Sequence, residues 1–427
     1  MNLKQREKIL SINENTLIIG SDIAKHIHYA RAQDFRGIEF GKPFKYENTR
    51  NGFESLWVWV KKLMIEYGKT NVVFGVEPTG HYWFPLAWFL HNKGVKVVLV
   101  NPLHVHRSKE LDDNSPTKND IKDARVIAQL IKDGRYSEPN MLTGVYAEIR
   151  VGMSQYQQLI KDTTRIKIRV KTWLDKYFPE FNQVFKEWDG KASTEVLKHC
   201  PLPQDIINLG VNNIIKCWKD ADIRGVGIKR ATLLMEQAKD SIGLTEGLVM
   251  ARQEIKILLE QYEMILTQIS NLLANINSLI KQISGTQEML SIPSLGLVTI
   301  ASFIGEVGNL DGYKDGQQII KLAGLNLKEK SSGKHKGQTK ITKRGRPRLR
   351  SILYRAVLAL IRNNPEFKAI HKYLINRTEN PLKKKQSIIA LCGKLIRVLF
   401  TLGSKKINYN PTMFLGVVRL NQICQAA

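Results

Sequence analysis

Cysteine pairs are missing from this sequence. Its four cysteines, Cys200, Cys217, Cys392 and Cys424, form no CxxC, and none has a histidine at ligand spacing. That argues against a zinc finger and a disulfide framework and fits a reducing cytosol. No apolar run reads as long enough to span a membrane, and the opening MNLKQREKIL lacks an apolar signal core. A cytoplasmic chain with no membrane partner is therefore expected. The phosphate-binding pattern GxxxxGK[ST] does not occur, so nucleotide-driven chemistry is not expected either. Acid is scarce as well: 39 Asp and Glu stand against 65 Lys and Arg, a formal net charge of +26. An excess of that size calls for a polyanionic partner, because neutralising phosphates releases their condensed counterions.

What is present is enough for two or three domains with real cores: 427 residues, 43% of them hydrophobic. Residues 16 to 134 read as α/β. "TLIIGSDIA", "NVVFGVEP" and "VKVVLVNP" are buried strands, with "HYARAQD" and "GIEFGKPFKY" as antiparallel partners of the first. "TRNGFESLWVWVKKLMIEYG", "YWFPLAWFLHNKG" and "KNDIKDARVIAQLIKDG" have helical periodicity, the last two closed by Gly94 and Gly134. The order is three strands, helix, strand, helix, strand, helix.

From about residue 143 the pattern turns helical. A long basic amphipathic segment over 147–175 could offer a nucleic-acid surface or simply pack with a wet basic face. Residues 180–240 carry no readable period. Residues 248–283 carry two heptad series: Leu248, Ile255, Tyr262, Ile269, Ile276 and Ile283, and Leu258, Ile265, Leu272 and Leu279. These predict a coiled coil or a long paired helix, between chains or within one. "DIRGVGIKRATLLMEQA" and "SIPSLGLVTIASFIGEV" resemble helix-hairpin-helix elements, whose glycine turns can approach a phosphate; ordinary helix–turn–helix packing fits them equally. The expected organisation is an α/β domain over 1–142, a helical region with the coiled coil over 143–285, and a mainly helical domain over 286–427.

Four carboxylates stand out. Asp22 and Glu77 end buried strands, at the edge where open α/β sheets build their sites. Asp120 and Asp123, three apart, share one helix face. Singly, each has an ordinary role as a cap, a strand end or a helix N-terminal charge. Together they form a set of hard oxygen donors suited to Mg²⁺ or Mn²⁺, whose paired ions can assist phosphodiester chemistry.

The segments "IIGSDIAKHIHYA", "VFGVEPTGHYW", "VVLVNPLHVH" and "PTKNDIKDARVIAQL" resemble, in order and spacing, the RuvC-like (ribonuclease H-like) domain of DEDD insertion-sequence transposases, the bridge- or seek-RNA-guided recombinases. "MLSIPSLGLVTIASFIGEVG" and "KLAGLNLKEKSSGKHKGQTKITKRGRPRLRSILYRAV" resemble that family's C-terminal transposase domain. The likeness covers roughly 16–175 and 286–405, and departs from the usual pattern at Asn119 and at Glu77-Pro78-Thr79-Gly80. It implies that Asp22, Glu77, Asp120 and Asp123 hold metal, and that Ser332, beside Ser331, is a nucleophile forming a transient phosphoserine with DNA. It also implies donor and target DNA, a structured noncoding guide RNA, and a homo-oligomer, a dimer assembling to a tetramer, with carboxylates of one subunit facing the serine of another.

The residues around that serine are strongly basic: 328–350 hold ten Lys or Arg and one acid, Glu329. Lys334, Lys336, Lys340, Lys343, Arg344, Arg346 and Arg348 are the expected grip on nucleic acid. Read without the resemblance, the stretch is equally a flexible basic loop. Two other functions remain open. A metal-dependent, structure-specific endonuclease, like a Holliday-junction resolvase, would use water and not need Ser332. A non-catalytic nucleic-acid-binding protein would need neither set.

Overall fold

The computed structural model describes residues 3–78, 80–112, 120–328, 331–332, 335–336 and 339–416. The chain forms two compact units, Met1–Met141 and Leu142–Ala427.

The first unit runs α1 (Leu3–Leu10), β1 (Thr16–Asp22), β2 (Ile27–Gln33), β3 (Glu39–Glu47), α2 (Arg50–Glu66), β4 (Asn71–Val76), α3 (Trp83–Asn92), β5 (Lys96–Val100), α4 (Pro102–Asp112), α5 (Asp120–Lys132) and β6 (Tyr136–Ser137). The strands form one sheet in the order β3-β2-β1-β4-β5-β6. β1 is antiparallel to β2 and parallel to β4; β4 is parallel to β5, and β6 closes the edge antiparallel to β5.

Side-chain alternation explains the layers. Leu17, Ile19, Phe74, Val76 and Val97 join one core with Phe53, Leu56 and Leu86 of α2 and α3. Ile18, Val73 and Val98 join the other with Val126, Ile127 and Ile131 of α5. Burial on both faces is why these strands read as continuous apolar runs. α2 starts where expected: Thr49 caps it, its hydroxyl accepting from the Gly52 amide at 3.1 Å. The expected element order is found, with α1, α4 and β6 added.

The second unit is mostly helical. Its spine pairs α6 (Gly144–Tyr177) with α12 (Leu248–Ile280). The pair is antiparallel: Gly152 lies beside Leu272 and Ile276, whereas the Trp173 indole donates to the Ala251 carbonyl at 3.0 Å. The expected heptad stripe is used inside the chain. Ile255, Leu258, Tyr262, Ile265 and Ile276 are all buried, each such side chain contributing about 1.5–3 kcal/mol on removal from water.

Toward one end of the spine lie α7 (Phe181–Val184), α8 (Lys191–His199), α9 (Pro203–Leu209), α10 (Val211–Asp220) and α11 (Ile228–Lys239). Their core is aromatic, built on Trp173, Phe178, Phe181, Phe185, Trp188 and Trp218. Toward the other end lie α13 (Thr286–Leu290), α14 (Leu297–Val307), α15 (Gly316–Leu322), the short strands β7 (Leu327–Lys328), β8 (Ser331–Ser332), β9 (His335–Lys336) and β10 (Lys340–Ile341), and then α16 (Pro347–Asn363), α17 (Pro365–Asn376), α18 (Lys384–Lys405) and α19 (Pro411–Leu415).

One expectation needs correcting. α18 is long and apolar enough, by length and composition, to cross a membrane, although no such run stands out in the sequence. The basic residues at its start, with Lys394 and Arg397 within it, interrupt the apolar run. In the fold Leu391, Cys392, Leu395, Ile396 and Leu399 are buried in the core of the second unit, so α18 serves as a packed core helix there. Cys200, Cys217 and Cys392 are free thiols, and Cys424 lies outside the described residues.

Candidate active site

The carboxylate edge is built by three elements. Asp22 is the last residue of β1, and alternation from Ile18 through Gly20 points it to the α5 side of the sheet. Glu77 follows β4 directly, and the parallel register Ser21↔Val76 carries the two strands out side by side to Asp22 and Glu77. Asp120 and Asp123 fill the first turn of α5, where the helix dipole favours acids. Asp123 is buried and Asp120 exposed.

Asp22 feels the other three acids. The pKa of Asp22 is pushed up from 3.8 to about 6, first by burial, then by the charges of Asp123, Asp120 and Glu77. Like charges gathered in a partly dry site produce such a shift.

Side chains that sequence reading passed over hold this edge. A Cβ on Gly20 would lie 2.2 Å from the Ala124 carbonyl oxygen, so only glycine lets β1 press against the backbone of α5. The Ser21 hydroxyl donates to the Tyr29 carbonyl at 3.0 Å and is 2.8 Å from the Tyr46 hydroxyl. Burial, reinforced by the Asp22 charge, holds the Tyr46 phenol protonated, well above its ordinary range. Buried His28 accepts from the Ala24 amide through Nδ1 at 3.2 Å, fixing the turn after Asp22; burial lowers its pKa and favours the neutral ring. A glycine two residues before a strand-ending aspartate was the available signal for Gly20.

The donor set suits a hard divalent cation, which would relieve the like-charge repulsion that helps to raise Asp22. Among the described residues no three His, Cys, Asp or Glu side chains are gathered as ready ligands. The four acids share an edge without forming such a group.

The basic run belongs to the second unit, and its described residues include four short strands. β7 pairs with β10 (Lys328↔Lys340, Leu327↔Ile341), and between them in sequence β8 pairs with β9 (Ser331↔Lys336, Ser332↔His335). Ser332 is thus on a hairpin strand; its side chain, that of Lys336 and all of Lys334 lie outside the described residues. The hairpin's base is a crossing of two turns. A Cβ on Gly345 would lie 2.3 Å from the Leu322 carbonyl oxygen, so the "RGR" backbone rests directly on the "LAGL" turn.

The cations of the run divide. Lys340, Lys343 and Arg344 are exposed, as is Arg348, which donates to the Ser154 hydroxyl at 3.2 Å. Arg346 turns inward, donating to the Glu306 carbonyl and lying 3.4 Å from the Glu306 carboxylate. Arg150 of α6 joins it, donating to the Gly305 carbonyl at 2.8 Å; burial and neighbouring Arg346 push its pKa down to about 10.

Comparison with known proteins matches two stretches of the chain. A DEDD transposase model of the IS110 type matches residues 19–179, and a model described as "Transposase IS116/IS110/IS902 family" matches 286–372, together more than half of the chain. The "Insertion element IS116 uncharacterized 44.8 kDa protein" of Streptomyces clavuligerus is 24% identical over 69% of this chain and 73% of its own length. The "Pilin gene-inverting protein" of Moraxella bovis is 22% identical over 90% of this chain and 94% of its own. The "Insertion element IS110 uncharacterized 43.6 kDa protein" of Streptomyces coelicolor is 22% identical over 94% and 97%.

The fold and its matches define an enzyme that recombines DNA, with DNA as its substrate. The chain belongs to the IS116/IS110/IS902 family of transposases.

Proposed function

We propose that this transposase is an RNA-guided recombinase that cuts and rejoins insertion-sequence DNA through a serine nucleophile. The observation that carries the catalytic part is the raised pKa of Asp22 among Asp123, Asp120 and Glu77. Three carboxylates gathered around a half-buried Asp22 on a ribonuclease H-like sheet edge would hold Mg²⁺ or Mn²⁺. The bound ion supplies charge neutralisation and makes a hydroxyl easier to deprotonate.

Asp22, Glu77, Asp120 and Asp123 hold the ion and orient the scissile phosphate. The Ser332 oxygen forms a bond to phosphorus as the phosphorus–oxygen bond to one DNA strand breaks. The serine gives up its proton and the departing DNA oxygen takes one up. Attack by a second DNA end then releases the serine, so phosphodiester bonds are conserved without nucleotide hydrolysis. Lys334, Lys336, Lys340, Lys343, Arg344 and Arg348 neutralise the DNA backbone around the hairpin, and Arg346 shapes its base.

In this reading the α/β domain spans 1–142, the helical region 143–285 and the transposase domain 286–427. Carboxylates of one subunit work with the serine of another in a dimer assembling to a tetramer. A structured noncoding RNA pairs with donor and target DNA, so the protein reads shape and backbone. The enzyme works on the nucleoid in the cytoplasm. The gene-inverting relative supports a rearrangement that moves or flips a segment without net loss of bonds.

The test combines purified protein, RNA transcribed from its flanking region, Mg²⁺ and labelled donor DNA carrying a trapping nick. A protein–DNA adduct mapped to Ser332, absent in Ser332→Ala and Asp22→Ala, is expected. Cleavage that persists in Ser332→Ala with no adduct would instead identify a metal-dependent endonuclease that uses water.

A further inference from the structure

Between the two segments matched by the transposase models, at 19–179 and 286–372, lies the α7–α11 cluster, to which neither match extends. It contains a cleft of 670 Å³, within the range of pockets that hold a nucleotide-sized ligand. Two connections face each other across it: the loop from α7 into α8, and the turn from α10 into α11. Lys186 lines it from the first, with Lys191 at the start of α8; Arg224 lines it from the second, with Arg230 in the first turn of α11.

The acids on the rim are already engaged. Glu187 pairs with Lys171 at 3.7 Å, and Asp222 with Arg224 at 3.8 Å. Among the described residues Lys186, Lys191 and Arg230 have no acidic partner, although Arg230 lies over the Phe185 ring at 5.8 Å. The loop that carries Lys186 and leads into Lys191 is held in shape. Ser193, fully buried, donates to the Glu187 and Gly190 carbonyls at 3.0 and 2.9 Å. α8 and α11 both start at glycines without a side-chain cap, so their dipoles add positive potential to that of the side chains.

Three uncompensated cations converge from segments about forty residues apart on a cleft of this size, in an enzyme whose substrate is DNA. We propose that this cleft is a second DNA contact: it binds the phosphodiester backbone of the DNA substrate away from the carboxylate edge and the serine hairpin. It requires only that DNA is the substrate, and is independent of RNA guidance and of the serine mechanism. The contact is to phosphates and is blind to base sequence, as backbone contacts are.

The experiment uses the full chain and a fluorescein-labelled duplex of random sequence, titrated by anisotropy across a salt series. The triple variant Lys186→Glu, Lys191→Glu, Arg230→Glu is compared with a variant of identical net charge, Lys216→Glu, Lys219→Glu, Lys256→Glu, whose sites are exposed on the same unit. The cleft variant is expected to bind about tenfold or more weakly, and its slope of log K against log salt to fall by about 2 to 3, near 0.9 for each phosphate that is no longer neutralised. The control should move much less.

Equal losses in the two variants, or wild-type affinity and slope in the cleft variant, would overturn the proposal. A loss confined to a single-stranded RNA of the same sequence would overturn the assignment to DNA. Should the cleft variant fail to fold, wild-type protein decides alone: DNA should shield Lys186 and Lys191 from acylation by an N-hydroxysuccinimide ester, and equal labelling with and without DNA rejects the site.

Discussion

Gly20 and Ala124 meet so closely that a single methyl group on Gly20 would lie 2.2 Å from the Ala124 carbonyl oxygen. The contact joins β1, which ends in Asp22, to α5, which begins with Asp120 and Asp123. It therefore sets the separation of the acids. Gly20→Ala should push α5 off the sheet, costing about 1–3 kcal/mol, the usual range for overpacking. DNA cleavage should fall further than that stability loss explains, because the acids are displaced. Thermal unfolding and a cleavage assay on the same preparation check this; normal activity with normal stability would refute it.

Asp22 opposes stability at neutral pH. Its folded-state pKa, about 6, lies above its ordinary value of 3.8. The protonated form is therefore favoured by folding. Its contribution is fully present below the ordinary value and is lost as pH rises through about 6. Metal-free Asp22→Asn should thus be more stable than wild type at pH 7, by on the order of 1 kcal/mol once solvent screening is allowed for. The gap should close below about pH 4, where both side chains are neutral. Mg²⁺ should narrow it at pH 7 by stabilising wild type alone. Denaturant melts at several pH values, with and without chelator, provide the measurement.

Within one basic run, two substitutions should behave differently. Arg346 is directed at Glu306, whose side chain is only 14% exposed. Arg346→Ala leaves that buried charge with Arg150 as its cationic neighbour and should cost about 1–3 kcal/mol. Lys343→Ala, at an exposed position, should leave the melting temperature nearly unchanged and weaken DNA binding with a smaller salt slope. Identical behaviour of the two variants would contradict this division of roles.

The α6–α12 spine is internal to one chain. Ile276→Ala should destabilise the protein by about 2–4 kcal/mol, because Ile276 is buried against Gly152. The midpoint shift should be the same in dilute and concentrated protein. A shift that vanishes on concentration would instead show that the stripe is completed by a second copy.

The carboxylate edge could be read from the sequence because a buried strand announces its own end: "TLIIGSD" and "NVVFGVE" are apolar until a carboxylate stops them. The spacing of Asp120 and Asp123 carries its own geometry, since residues three apart on a helix share a face. The order of strands and helices in the first unit was legible for the same reason. The helices α7–α11 were not, because each is short and their aromatic core is assembled from many turns, leaving no period in any one window. The basic run was legible as charge alone; nothing local distinguishes Arg346 from Lys343.

The sequence by itself thus determined the α/β and helical halves, the excess of positive charge, the acids at the strand ends and the heptad stripe. Those features follow from local periodicity and composition. Only tertiary structure decided that the stripe faces α6 of the same chain, that Gly20 presses Asp22 toward α5, and that Arg346 turns inward while its neighbours face solvent. Those outcomes depend on close approach between residues tens to more than a hundred positions apart, which no window of sequence contains.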